Sequence, residues 1–310
     1  MLVIFESTLP VFLLVVLGAL LKRWRAIDGG LWTGLEQLGF YVLFPALLFA
    51  TLAKADFRGM EAGAVAIASI GAVTVMAALL AASWPLFRRA GVPAATYTSV
   101  FQTATRWNGF MALAIAEKLY GAESLALIAL VMTLIIIPIN FYNIGMLIWF
   151  GGGSRSLNAF ARKIVTNPLI LASLAGILFN GLGLTLYAPL MQTIDLVADT
   201  SLSLGLVMVG AGLRVADALR PSALSLVPVG LKLLGMPVLM VGAGWLAGVG
   251  GVPLLSIALG AAVPTAMNGY LLAKQMGGDA PFYAAVATVQ TVASFVTIPF
   301  VLMVTAYVAG

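Results

Sequence analysis

The sequence predicts an all-α integral membrane protein: ten transmembrane helices arranged as two inverted five-helix repeats, with helices 4 and 9 broken. Three observations carry that expectation. Of 310 residues, 62% are hydrophobic and 9% charged, whereas a water-soluble domain is about 25% charged because its surface must face water. Apolar stretches recur at the length of ~20 residues that a hydrocarbon core of ~30 Å requires. Polar and helix-breaking residues fall at corresponding places in the two halves.

The stretches run over 2–21, 32–53, 62–86, 95–118 and 123–149 in the first half, and over 165–183, 190–213, 223–247, 253–275 and 281–308 in the second. The first reads as a membrane helix and not as a signal peptide, since it carries Glu6 and ends in Lys22-Arg23 without a small-residue cleavage site. The second opens at Trp32, and the third is free of charge until Arg88-Arg89. The fourth is interrupted near its middle by Arg106 to Gly109, and the fifth carries Ile137-Pro138. The longest polar interruption, from Gly151 to Lys163, then divides the chain. It separates a first repeat (1–150), a cytoplasmic linker (151–163) and a second, inverted repeat (164–310). The ninth stretch is interrupted like the fourth, at Pro264-Thr265 and Asn268-Gly269, and the tenth carries Ile298-Pro299. Displacing one half on the other pairs Pro10 with Pro168, Gly18 with Gly176, Ala55-Asp56 with Ala216-Asp217, Asn108-Gly109 with Asn268-Gly269, and Ile137-Pro138 with Ile298-Pro299, at offsets of 158 to 161. Repeats of opposite orientation are a common build of secondary transporters.

Charge sets the expected orientation. Loops after helices 1, 3, 5, 7 and 9 hold eleven of the 16 Lys and Arg residues, the opposite loops three. The excess marks the cytoplasmic side and places both termini on the non-cytoplasmic side of a cell (inner) membrane. Trp24, Trp32, Trp84, Trp149 and Trp245 lie at predicted helix ends, as an interfacial belt requires.

Absences narrow the function. With no Cys, no His and no phosphate-binding loop, thiolate and imidazole chemistry and the usual metal sites are excluded, so neither an enzyme nor a cofactor is expected. The net charge of +5 contains no basic tract suited to nucleic acid.

The residues that remain point to a ligand. Asn108-Gly109 and Asn268-Gly269 favour unwound segments, since Gly lowers helix stability and Asn competes for backbone hydrogen bonds; Pro264 strengthens the second break. Half-helix N-termini at such breaks hold anions. The alternative is two asparagines that merely satisfy neighbouring helices. Arg106, mid-membrane, either grips an anionic substrate or is neutralised by helix carbonyls or an acidic side chain. Trp107 is a pocket wall or faces lipid. Asp195 and Asp199, one turn apart, are proton carriers, partners of Arg106 or boundary residues. Thr288, Gln290, Thr291 and Ser294 form a polar stripe toward the second break that offers oxygens to Na⁺. Lys232 is expected to snorkel to the headgroups and to be dispensable for anion binding.

In order along the chain, several segments resemble the auxin efflux carrier family of plant carriers and bacterial permeases. They are Leu9-Pro10-Val11-Phe12 with Gly18, Phe40 to Leu48, Phe101-Gln102, Arg106-Trp107-Asn108, Leu119-Tyr120-Gly121, Pro264 to Asn268, Gly277-Gly278-Asp279 and Thr297-Ile298-Pro299. The resemblance implies helices 4 and 9 crossing at unwound centres, a scaffold of helices 1, 2, 6 and 7, a moving domain of the rest, and frequent homodimers. It also implies that Asn108 and Asn268 contact a substrate carboxylate. The chain lacks the helix 4 proline of many relatives and the helix 3 acidic residue of the plant carriers, so their charge-coupling arrangement does not carry over. The expected activity is alternating-access transport of a small organic anion, auxin-like or dicarboxylate. Substrate contacts are expected from Asn108, Asn268, Arg106, Gly109, Gly269, Thr265 and Pro264, and coupling to H⁺ or Na⁺ from Asp195, Asp199 or Gln290. The rival readings are a sodium-coupled symporter of the bile-acid carrier type and a passive anion channel.

Overall fold

The structure is a computed structural model that describes residues 2–56, 61–151, 162, 165–213, 222–267 and 269–308. The main helices are α1 (Leu2–Leu21), α2 (Gly30–Lys54), α3 (Ala62–Arg89), α4 (Ala94–Thr105), α5 (Gly109–Gly151), α6 (Pro168–Gly181), α7 (Ala188–Ala211), α8 (Ala223–Leu246), α9 (Gly251–Ala262), α10 (Gly269–Gln275) and α11 (Ala280–Val308). No strand occurs among the described residues. Among the described residues each of the ten apolar stretches is mostly helical, the fourth and ninth with a break inside. Among the described residues, six helical stretches are long and apolar enough to cross a bilayer on their own. The protein is therefore a multi-pass membrane protein.

Local chemistry sets the breaks and bends. At 43 residues, α5 exceeds what one bilayer crossing needs by about twofold. It is folded at Gly121, whose φ of 71° and ψ of −157° suit a residue without a Cβ. Two π-turns, Gly39–Leu43 in α2 and Leu231–Gly235 in α8, each end two residues before a proline, Pro45 and Pro237. A proline ring crowds the carbonyl four residues back and offers no N–H. Widening the preceding turn relieves the crowding, so the Phe44 N–H reaches back to Gly39 O and the Met236 N–H to Leu231 O.

Packing falls into two groups. In one, α1 lies along α7, and α2 lies along both α6 and α7. Backbones meet closely here: a Cβ on Gly18 would overlap the Val207 carbonyl, and one on Gly210 the Val15 carbonyl. A Cβ on Gly176 would stand 2.9 Å from Phe49 O. Small residues allow this approach where lipid supplies no hydrophobic drive between helices. Asn180 of α6 donates to the carbonyls of Leu52, Ala53 and Ala55, tying down the end of α2. In the other group, α3 packs on α8, α4 on α3, α5 and α11, and α9 on α5, α8 and α11. Trp24, Trp149 and Trp245 are exposed at helix ends, as a belt requires, but Trp32 is buried with the Lys22 ammonium 5.6 Å from its ring centre.

Candidate functional site

Helical hydrogen bonds stop at two places. α4 ends as Arg106 turns to extended backbone (φ −73°, ψ 159°), and α9 ends as Val263 does the same (φ −66°, ψ 150°). Buried backbone groups freed by a break need new partners. The two breaks supply one to each other, for the Asn108 N–H donates to Pro264 O at 2.7 Å. The interruptions read separately in the two halves thus touch.

Gln290 of α11 holds both. Its Oε1 accepts the Thr265 N–H at 2.9 Å, and its Nε2 donates to Thr103 O and Pro228 O, each at 3.0 Å. In an unbroken helix Thr103 O would accept from residue 107 and the Thr265 N–H would donate to residue 261. The amide therefore stands in for helical bonds on both sides. Thr265 Oγ1 lies 3.0 Å from the Tyr283 hydroxyl, which donates to Ala266 O at 2.5 Å. Tyr283 also sits against Gly269, where a Cβ would collide with its ring and hydroxyl.

Asn108 begins the half-helix at the head of α5. Its Oδ1 accepts the Met111 N–H at 3.2 Å and its carbonyl accepts from Ala112 at 3.1 Å, an N-cap geometry. The cap fixes the amide and leaves the Nδ2 hydrogens as the end available to a ligand. Gly109 follows beneath Met132, whose sulfur would be 2.7 Å from a Cβ.

Arg106 is 8% exposed. One guanidinium nitrogen, Nη2, donates to Asn140 Oδ1 at 3.2 Å, and Nε has no partner. Among the described residues the ion pair found is Lys54–Asp195, so no described carboxylate neutralises this arginine. One helical turn before it, fully buried Gln102 has neither amide atom hydrogen-bonded. Asn143 bonds Thr105 and Ile139 O beside it.

The geometry thus gathers Arg106, Asn108, Gly109, Pro264, Thr265 and Gly269 around one junction; Asn268 lies outside the described residues. Sequence reasoning gave no site role to Gln102, named there only for the family resemblance, and passed over Asn140, Asn143 and Tyr283. The first three had a usable signal, a primary amide within a long apolar run. Tyr283 had none, because a tyrosine near a helix end reads as interfacial.

Three expectations are corrected or resolved. Lys232 does not snorkel: it is 1% exposed and donates to Ala261 O at 2.5 Å, because the π-turn carries it on the buried face of α8. Asp195 pairs with Lys54 at 2.5 Å, not with Arg106. With Asp199, Asp56, Glu117 and Glu123 it lines an open vestibule of about 540 Å³ beside α2, α5 and α7. Trp107 lies against Gly260, where a Cβ would stand 2.6 Å from its ring, and packs on both core clusters, so it is a wall within the bundle.

A profile of proteins described as "Membrane transport protein" matches residues 3–149 and 154–302. The chain belongs to this membrane transport protein family. The resemblance to auxin efflux carriers is borne out. An uncharacterized transporter of Methanothermobacter thermautotrophicus is 26% identical over 302 residues, covering 95% of this chain and 96% of that one. A candidate malonate transporter of Rhizobium meliloti is 27% identical over 297 residues, covering 94% and 92%. Like its family, the chain is a membrane transporter.

Proposed function

We propose that this membrane transporter is a secondary active carrier of small organic anions, with short dicarboxylates such as malonate as the substrate class, and that the anion binds where the two breaks meet. The observation that carries the reading is Arg106: a buried guanidinium at the junction, Nε–H unpartnered, with no described carboxylate beside it. A charge in that setting is costly unless a counter-charge reaches it. A carboxylate placed on Nε would be gripped by a planar donor pair. Asn108 Nδ2, the junction backbone and Asn268 would orient it. The relative described as a candidate malonate transporter adds support.

Ten spans in two inverted repeats belong to the same proposal. Exchanging the halves turns the α1–α7 contact into the α6–α2 contact, and both occur. It turns the Gly18 approach on α7 into the Gly176 approach on α2, and both occur. The α1, α2, α6 and α7 group is then the scaffold against which the rest moves, and the charge bias sets both termini outside.

The test is thermal unfolding of purified protein with malonate, since a ligand that binds the native state alone raises stability by about 2.7 kcal/mol at a hundred times Kd. Malonate is expected to stabilise the wild type and to leave Arg106→Gln unmoved, while Lys54→Ala responds like wild type. An arginine variant that folds and still responds in full overturns the site. A wild type unmoved by malonate and by other mono- and dicarboxylates overturns the substrate class.

A further inference from the structure

Lys232 is a second buried cation, and the anion site does not use it. It lies in the π-turn of α8, 1% exposed, with its Nζ 2.5 Å from Ala261 O. Ala261 is the penultimate residue of α9, just before the second break. Its carbonyl is free for an external donor because residue 265, which would bond it in a continuous helix, instead gives its N–H to Gln290. A half-helix C-terminus gathers partial negative charge from its unpaired carbonyls. In broken-helix transporters such an end, with unwound carbonyls, is where a coupling cation sits. The elements packed on the π-turn include α4, α9, α11, the flanking parts of α8, and α3 through Met76 at Gly235. None contains an Asp or a Glu. The ammonium thus faces a helix end, not a carboxylate.

We propose that Lys232 is a tethered cation that fills the seat a free ion would otherwise take at the end of α9. It acts as a positioning residue: by holding Ala261 O it sets where the chain leaves the helix, and hence where Pro264 and Thr265 meet Asn108. A carrier with this seat filled from its own chain does not need Na⁺ there. The substrate-independent part of this inference stands apart from the anion reading.

Two readouts test it. In thermal unfolding without any anion, Lys232→Ala is destabilised and n-propylammonium, the piece removed, restores it, whereas propanol does not. In proteoliposomes, wild-type uptake of radiolabelled malonate is equal in Na⁺ and choline. Uptake by Lys232→Met, which keeps the volume but not the charge, falls by about tenfold or more, the scale of one lost charged hydrogen bond. Propylammonium acting no better than propanol, a wild type that requires Na⁺, or a methionine variant that transports like wild type each overturns the tethered cation. Absence of malonate uptake by the wild type would sink the substrate reading and leave the unfolding result to decide this one.

Discussion

Gln290→Leu removes one amide and strands three backbone groups, so its cost can be worked from the contacts. The Thr265 N–H, Thr103 O and Pro228 O all lose a buried partner at 2.9 to 3.0 Å. Side-chain hydrogen bonds within membrane bundles average about 0.6 kcal/mol and reach about 1.7. Three together therefore predict a loss of about 2 kcal/mol at the average and about 5 at the upper end. The upper part of that range applies if the junction cannot relax, because a stranded buried group costs about 1–3 kcal/mol in itself. Leucine is close to glutamine in volume, so no large cavity confuses the reading. The assay is equilibrium unfolding in mixed micelles of the variant beside Thr291→Val. The Thr291 hydroxyl bonds back to Ala287 O on its own helix, so the control loses one local bond and strands no group at the junction, and its stability should change by about 0.6 kcal/mol. Malonate response should fall in the leucine variant too, since both breaks lose their common support. A Gln290→Leu protein as stable as the control refutes the view that this amide holds the junction together.

Three further outcomes follow from the packing. Gly210→Ala sets a Cβ against the Val15 backbone, and forcing α1 off α7 should cost about 1–3 kcal/mol in the same unfolding assay; an unchanged midpoint would show that the helices are not held there. Gly269→Ala meets Tyr283, and Gly269→Ala with Tyr283→Phe should recover some of the loss, because the hydroxyl is the first atom struck. The Lys54–Asp195 pair is half exposed, with side chains 49% and 35% accessible. Lys54→Ala should therefore shift stability by less than about 1 kcal/mol once solvent screening is included, and a larger loss would mark the vestibule as structural.

Much of the site was legible because polar residues in apolar runs are conspicuous. Arg106, Asn108 and Pro264 stood out for that reason, while the expectation that the breaks would meet came from the family resemblance. Lys232 was equally conspicuous but was given the wrong surroundings. A lysine nine residues into a helix reaches the headgroups only if its face points outward, and facing is decided by the neighbours. Gln290 was seen as one of a stripe of oxygens. Its role as the bridge between Thr265, Thr103 and Pro228 depends on three other elements arriving within 3.0 Å.

The sequence by itself determined the solvent, the helices and the positions of the breaks, because each follows from local composition: apolar length, Pro and Gly, and uncompensated charge. Tertiary structure alone decided which freed backbone group found which partner. It joined Asn108 to Pro264, gave Ala261 O to Lys232, turned Asp195 toward Lys54 and left Arg106 Nε open. These choices rest on contacts between residues 29 to 156 positions apart. Their physical cause is that buried polar groups in a bundle must pair with whatever the packing brings within reach.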